Sequence, residues 1–119
     1  MRNFKNLEVW KIARDLTKRV YVLTDTFPEP EKYGLTTQIR RCCISIAANI
    51  AEGSAKSSNR DFKRYLEISL GSCFELESHL LLSSDLNFCT FSDADTCLNE
   101  IIILQKKLHN FIASVKVPD

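Results

Sequence analysis

The side chains best suited to catalysis or metal binding in this sequence are two histidines and a pair of neighbouring carboxylates. His79 and His109 are the only histidines, and neither has a second metal ligand four residues further along the chain. Glu75 and Glu77 are two residues apart, so they cannot share one face of a helix. The motifs GxSxG, HExxH, GxGxxG and the phosphate-binding P-loop are absent. We therefore predict that the protein is not an enzyme and that it binds no metal or other cofactor.

The cysteines are the next candidates for chemistry. There are five, at Cys42, Cys43, Cys73, Cys89 and Cys97. They form no CxxC pair and no Cys/His spacing typical of zinc sites. The N-terminus lacks the apolar segment of a secretory signal, and the longest apolar runs are far shorter than the roughly 18 residues of a membrane span. We predict reduced structural thiols in a cytoplasmic protein that does not enter a membrane.

Charge is distributed unevenly along the chain, although the net charge is only +1. Residues 1–66 contain 13 Lys or Arg and 7 Asp or Glu, a balance of +6. Residues 67–100 contain 7 acidic residues and no basic ones, and residues 101–119 have a balance of +2. The basic part of the chain could bind a phosphate backbone through release of counterions. The alternative is a solvated surface that helps subunits to pack.

Four segments place apolar residues at the three- and four-residue spacing of amphipathic helices. The stripes run from Val9 to Phe27, from Leu35 to Ile50, from Phe62 to Ser83 and from Cys97 to Val115. Gly and Pro together number six, which is too few for the many tight turns of an all-β domain. The predicted helices span residues 7–26, 35–53, 59–86 and 93–115.

Short connections between these helices favour one domain, residues 1–119, with an all-α fold. We predict an antiparallel up-and-down four-helix bundle. In that topology the N-terminus and the connection between the second and third helices lie at the same end. The basic residues expected there are Arg2, Lys5, Lys56, Arg60, Lys63 and Arg64. Phe4 and Tyr65 are the nearest aromatic residues, which does not favour base-specific readout.

The ends of the helices carry local signals. Ser58 and Ser92 each precede an aspartate by three residues, which predicts N-terminal caps. Gly53 is predicted to stop the second helix. Gly71 lies inside the third helix, where we expect it to allow close approach of a neighbouring helix.

The helices carry more apolar residues than one stripe each requires. The surplus includes Trp10, Ile12, Val22, Ile44, Ile68, Phe74, Leu81, Leu82, Leu98, Ile102 and Ile103. A second apolar face on a small bundle is typical of a subunit interface, so we predict a homo-oligomer. The alternative is that these residues lie at the shoulders of the intramolecular core.

Polar residues border the predicted contact between the second and third helices. Antiparallel pairing places Arg41 near Glu75 and Asn49 near Leu66. Buried polar groups need partners, so we expect Arg40 or Arg41 to pair with Glu75, and Asn49 to pair with backbone or with Ser69. The predicted network consists of Arg41, Ser45, Asn49, Glu52 and Glu75. A groove that contacts a ligand or partner is the alternative interpretation.

Three segments of the sequence resemble one known family. The run from Gln38 to Gly53, QIRRCCISIAANIAEG, is similar to the signature of the 23S rRNA intervening-sequence proteins. The opening from Phe4 to Trp10 and the segment from Gly71 to Glu77 also resemble that family. The pair Cys42-Cys43 departs from its pattern, in which small or β-branched residues are expected.

The resemblance implies a bacterial cytoplasmic four-helix bundle that assembles as a ring-like homopentamer. It also implies a relationship to the accessory protein of diversity-generating retroelements, which binds nucleic acid through a basic surface. On this basis we predict binding of nucleic acid, with RNA favoured and DNA as the alternative, through contacts from Arg40, Arg41, Lys56, Arg60, Lys63 and Arg64. The alternative is a scaffold that docks a partner protein, such as a polymerase or reverse transcriptase, without touching nucleic acid.

Overall fold

Four long helices make up most of the computed structural model, which describes residues 2–118. Their bounds are Glu8–Thr24 for α1, Leu35–Ser54 for α2, Asn59–Asp85 for α3 and Phe91–Ser114 for α4. Two 3-10 turns, Phe4–Asn6 and Glu29–Glu31, precede α1 and α2. Residues 2–118 contain no strand, so the predicted all-α class is confirmed. Within the same residues no helix is long and apolar enough to cross a membrane.

The helices form a bundle in which each one packs against two neighbours. α1 and α3 both pack against α2 and α4, and the bundle measures 48 × 23 × 23 Å. The predicted apolar stripes face the centre, and burial of each Leu or Ile side chain contributes about 1.5–3 kcal/mol. The largest side chains that are fully buried include Leu16, Ile39, Ile46, Ile50, Leu66, Leu76, Leu80, Ile101, Leu104 and Leu108.

The cap of α3 matches the prediction, whereas the cap of α4 does not. The Ser58 hydroxyl accepts a hydrogen bond from the Asp61 amide at 3.1 Å. α4 begins two residues earlier than predicted, because Thr90 accepts from the Asp93 amide at 3.1 Å. Ser92 therefore lies inside the helix. Thr90 and Ser92 each precede an aspartate by three residues, and the earlier of the two, Thr90, forms the cap.

The two glycines of the helical region have roles opposite to those predicted. Gly53 lies within α2, which continues to Ser54, and a Cβ on Gly53 would be 2.6 Å from the Cβ of Tyr65. A Cβ on Gly71 would meet no atom within 4 Å. Gly53 therefore allows the close approach of α2 and α3, and Gly71 faces open space in the single chain.

Some of the surplus apolar side chains pack in or against the core, and others remain exposed. Leu98 is buried, while Trp10 and Ile12 pack partly against the core. The exposed large apolar side chains of α3 and α4 include Ile68, Phe74, Leu81, Leu82, Ile102 and Ile103. The single bundle therefore leaves an apolar surface on these two helices.

Candidate functional site

The N-terminal segment connects α1 with the turn between α2 and α3. The Arg2 guanidinium donates to the carbonyl oxygen of Lys56 at 2.7 Å and to the side-chain oxygen of Asn59. It also lies 4.2 Å from the centre of the Phe62 ring. These contacts fix the segment across the end of the bundle, so Arg2 is held in place largely as a structural cation.

Four of the six predicted contact residues lie together at this end. Arg60 and Arg64 are exposed, and Lys56 and Lys63 are half-buried. The Lys56 ammonium lies 5.1 Å from the centre of the Tyr65 ring, and the Arg64 guanidinium lies 5.4 Å from it. Their acidic neighbour Asp61 is 3.9 Å from Arg64, a separation at which an exposed pair contributes little. We call the cluster Lys56, Arg60, Lys63 and Arg64 the basic end.

Arg40 does not belong to the basic end. Its Nε donates to the Thr24 hydroxyl at 2.9 Å, and its Nη2 donates to the Asp25 carboxylate at 2.8 Å. The guanidinium also lies 4.5 Å from the Tyr21 ring centre. Arg40 thus joins α2 to the last turn of α1. It precedes the end of α2 at Ser54 by 14 residues, which at 1.5 Å each place it about 21 Å along the axis from the connection that contains Lys56. Arg41, its exposed neighbour, lies at the same distant level.

A basic groove lies along the outer side of α1. Its volume is about 770 Å³, and its lining residues are Phe4, Lys5, Trp10, Lys11, Arg14, Asp15 and Lys18. The Phe4 and Trp10 rings meet edge to face with centroids 5.0 Å apart, and Arg14 lies 5.5 Å from the Trp10 ring centre. The groove therefore offers cations beside a half-buried indole.

Sequence reasoning did not identify this groove, although a signal was present. Lys11, Arg14 and Lys18 repeat at three and four residues, which places them on one face of α1. Trp10 falls outside the apolar stripe of α1, so it was assigned to the surplus and was not considered as a stacking residue. The Phe4–Lys5 turn then joins this face to the N-terminal segment that reaches the basic end.

The predicted polar residues between α2 and α3 form separate pairs. The Ser69 hydroxyl is fully buried and donates to the Ile46 carbonyl oxygen at 2.8 Å. Ser45 and Ser72 share a hydrogen bond of 3.0 Å. Asn49 donates to the backbone oxygen of Ser45, one turn earlier in its own helix, at 2.8 Å. Two of these bonds, Ser69 to Ile46 and Ser45 to Ser72, cross between α2 and α3 and help to set their register. Glu52 is exposed and forms no side-chain hydrogen bond to residues 2–118.

Glu75 is paired with neither Arg40 nor Arg41, contrary to the prediction. Its Oε2 accepts from the Cys42 thiol at 3.2 Å and lies 3.3 Å from His79 Nε2. The thiol hydrogen bond lowers the pKa of Glu75, and the bond to His79 lowers it further. Burial and the Glu75 carboxylate together raise the pKa of Cys42 to about 12. The free thiol is therefore a poor nucleophile at neutral pH.

Cys42, Glu75 and His79 also have the chemistry of metal ligands. One ligand atom from each residue lies within 4.8 Å of the other two. The prediction that no metal binds rested on the residues that follow each histidine and left out those that precede it. Glu75 precedes His79 by four residues, and antiparallel pairing of α2 with α3 places Cys42 at the level of Glu75. Both signals were available in the sequence.

The comparisons with known proteins agree with the resemblance noted above. The family model described as "23S rRNA-intervening sequence protein" matches residues 5–110 of the chain. The chain belongs to this family. A crystal structure of a protein of unknown function from the S23 ribosomal protein family of Bacteroides thetaiotaomicron superposes with a TM-score of 0.82 and 26% identity. The match covers 89% of this chain and 99% of that one. A comparison with curated proteins finds no match.

The run that resembles the signature of the 23S rRNA intervening-sequence family, residues 38–53, lies within α2. Within this run, Gly53 lies where α2 closely approaches Tyr65 of α3, and Arg40 joins α2 to the end of α1. Asn49 bonds to its own helix. These three signature residues therefore have structural roles in this member of the family.

Proposed function

We propose that this member of the family is a non-enzymatic, homo-oligomeric protein that binds RNA in the bacterial cytoplasm. The RNA-binding surface consists of the basic end and the α1 groove. The observation that carries the proposal is the continuity of these two surfaces. The N-terminal segment, fixed by Arg2 across the end of the bundle, runs from one to the other.

The charges of this surface suit a phosphate backbone. Arg60 and Arg64 are exposed, and the exposed side chains of Lys5, Lys11, Arg14 and Lys18 extend the positive surface along α1. Asp61 and Asp15 only partly offset these cations. Trp10 provides one aromatic ring beside the path, which suits stacking of an unpaired base and not reading of a sequence. We infer that binding tolerates many sequences and depends strongly on salt.

The exposed apolar residues of α3 and α4 support the oligomer. Phe74, Leu81 and Ile102 are exposed in the single chain, although a small soluble bundle gains by covering such residues. A second copy of the chain is the occupant we propose. The family resemblance implies five subunits, an arrangement that repeats the basic surface around a ring.

Anisotropy of a labelled, mixed-sequence single-stranded RNA tests the proposal. Arg60→Ala/Arg64→Ala removes two exposed cations of the basic end. Lys32→Ala/Lys106→Ala removes two exposed cations elsewhere and is the matched control. The slope of log affinity against log salt should fall by about 1.4 in the first variant, because each lost single-strand contact removes about 0.7. The control should leave the slope unchanged. Equal effects of the two variants, or binding that is insensitive to salt, would reject RNA binding at this surface.

A protein-docking scaffold is the second candidate, favoured by the same exposed residues of α3 and α4. Its partner would be a nucleic-acid-processing protein such as a polymerase or a reverse transcriptase. Affinity capture from the bacterial lysate with and without nuclease separates the two functions. Loss of every partner after nuclease treatment supports RNA binding, and retention of a protein partner supports the scaffold.

A further inference from the structure

Three potential metal ligands converge on the outer edge of the α2–α3 contact. The Cys42 sulfur lies 3.2 Å from Glu75 Oε2, and His79 Nε2 lies 3.3 Å from the same oxygen. Glu75 and His79 are one helical turn apart on α3, while Cys42 comes from α2. All three ligand atoms lie within 4.8 Å of one another.

These separations are close to those of a tetrahedral metal site. Zinc binds sulfur at about 2.3 Å and nitrogen or carboxylate oxygen at about 2.0–2.2 Å, so neighbouring ligand atoms lie roughly 3.3–3.8 Å apart. Small changes of side-chain rotamer would bring the three atoms to these distances. We propose that Cys42, Glu75 and His79 bind one Zn²⁺ ion.

The ligand types favour zinc over the hard cations. A thiolate and an imidazole suit Zn²⁺, whereas Mg²⁺ and Ca²⁺ prefer sites made only of oxygen. The Glu75 side chain is 55% exposed and the Cys42 residue only 5%. The ion would therefore enter from the solvent side, and water would occupy its fourth position.

Binding exchanges a proton for the metal. The Cys42 S–H bond breaks and its proton passes to water as the S–Zn bond forms. Glu75 contributes a carboxylate lone pair. His79 contributes the Nε2 lone pair of the tautomer with its proton on Nδ1, so Nε2 gives its proton to water while Nδ1 takes one up. The hydrogen bonds that Glu75 accepts from the thiol and from His79 are thereby replaced by metal bonds. The metal would then join α2 to α3 where only the thiol hydrogen bond joins them now.

The hydrogen bonding of the His79 ring determines how tightly the site is expected to bind zinc. Its Nδ1 is buried and has no hydrogen-bond partner among residues 2–118. A metal-bound histidine normally donates its second N–H to a neighbour, and loss of that partner weakens binding 10- to 100-fold. We therefore expect a dissociation constant on the order of micromolar, which suits a regulatory or labile site and not a permanent structural one.

Titration of the reduced, metal-free protein tests the site. Co²⁺ should give a thiolate charge-transfer band and the visible bands of tetrahedral cobalt, at one ion per chain, and Zn²⁺ should displace it. Cys42→Ser and His79→Gln should each weaken Zn²⁺ binding about tenfold or more. Cys89→Ser and His109→Gln remove the same residue types elsewhere and should not change it. Circular dichroism checks that each variant remains helical.

Three results would overturn the proposal. The first is the absence of a cobalt–thiolate band at Co²⁺ concentrations well above micromolar. The second is a Zn²⁺ affinity of Cys42→Ser that equals that of the unchanged protein. The third is a control variant, Cys89→Ser or His109→Gln, that loses as much Zn²⁺ affinity as Cys42→Ser. Glu75→Gln provides a further check, because it keeps the size of the side chain, removes the charged ligand and should weaken binding in a helical protein.

Discussion

Gly53 of α2 and Tyr65 of α3 approach so closely that a Cβ on Gly53 would lie 2.6 Å from the Cβ of Tyr65. The Cβ of Tyr65 is fixed to its backbone, so no change of rotamer can relieve this contact. A side chain at Gly53 would also meet Phe62, whose Cδ1 would be 3.3 Å away. The separation of the two helices near their connection therefore depends on this glycine.

We predict that Gly53→Ala destabilises the fold although alanine favours helix. Overpacking costs about 1–3 kcal/mol, which outweighs the gain of about 1 kcal/mol from helix propensity. Gly71→Ala is the matched control, since a Cβ there meets no atom within 4 Å, and it should stabilise by up to about 1 kcal/mol. Chemical denaturation at one protein concentration measures both. A Gly53→Ala variant as stable as Gly71→Ala would contradict the close-approach role.

The bond between Ser69 and the Ile46 carbonyl leads to a second prediction. Ser69 is fully buried on the stripe of α3, where a hydroxyl without a partner would be costly. Ser69→Ala should lower the free energy of unfolding by about 1 kcal/mol. Ser72→Ala should cost clearly less, because Ser72 is half-buried and its partner Ser45 can bond to water. Equal losses would mean that the Ser69 bond has no special part in holding the helices together.

The repeat of apolar residues was enough to predict the four helices and the core. Residues at three- and four-residue intervals, such as Cys73, Leu76 and Leu80, must share one face of a helix, and that face is buried in the structure. The roles of Gly53 and Gly71 were not predictable in this way. Both glycines lie on helices, and only the distance to the adjacent helix shows that Gly53 faces another backbone while Gly71 faces open space.

The candidate site was predictable only in part, for a different reason. Lys56, Arg60, Lys63 and Arg64 are close in sequence, so any helical arrangement keeps them together. Side chains such as that of Arg40 can reach either of two neighbouring helices. Its partners are Thr24, the last residue of α1, and Asp25, which follows it, whereas the predicted pairs joined only α2 and α3. The charge pattern therefore predicts that a basic surface exists more reliably than it predicts which residues form that surface.

The rate at which each cysteine is alkylated should fall as the burial of its thiol increases. Burial raises the pKa of Cys73 to about 12, so roughly one thiol in ten thousand is ionised at pH 8. Cys89 is half-buried, and its pKa is raised by partial burial and by Asp93. In the native protein at pH 8, iodoacetamide should modify Cys89 first and Cys73 only after unfolding. Peptide mapping by mass spectrometry measures the order, and the denatured chain, in which all five should react, is the control. Comparable native rates at Cys73 and Cys89 would contradict the buried position of Cys73.

The same shift predicts how stability changes in alkali. The folded-state pKa of Cys73 lies above the 9.0 of an exposed thiol. Its contribution to stability is therefore complete below pH 9 and is lost as the pH rises towards 12, because the unfolded chain ionises first. Replacing Cys73 by alanine should make stability less dependent on pH over this range. If the dependence is identical in the two proteins, the thiol is not shielded from solvent as the structure shows.

The exposed apolar residues predict an assembly that charge can disrupt. Light scattering should give five times the chain mass of 13.6 kDa if the proposed pentamer forms. Phe74→Glu/Leu81→Glu should yield a smaller species with unchanged helicity, because both side chains are exposed in the single bundle. Val22→Glu places a charge at an exposed apolar position of α1 and serves as the control. A wild-type species of one chain mass would reject the oligomer.

Arg40 and Arg64 were both predicted to bind nucleic acid, but we expect Arg40 to stabilise the fold and Arg64 to bind RNA. Arg40→Ala loses the contact with the Tyr21 ring and the bonds to Thr24 and Asp25. The lost stability should be about 1 kcal/mol, because Asp25 is exposed and its ion pair adds little. RNA affinity should stay within about twofold, since Arg40 lies away from the basic end. Arg64→Ala should do the opposite, weakening RNA binding and its salt dependence. Its denaturation midpoint should change less than that of Arg40→Ala, since the exposed Arg64 lies 3.9 Å from its carboxylate neighbour and 5.4 Å from the Tyr65 ring centre. Should Arg40→Ala weaken RNA binding as much as Arg64→Ala in an equally stable protein, the RNA path would have to extend to the opposite end of the bundle.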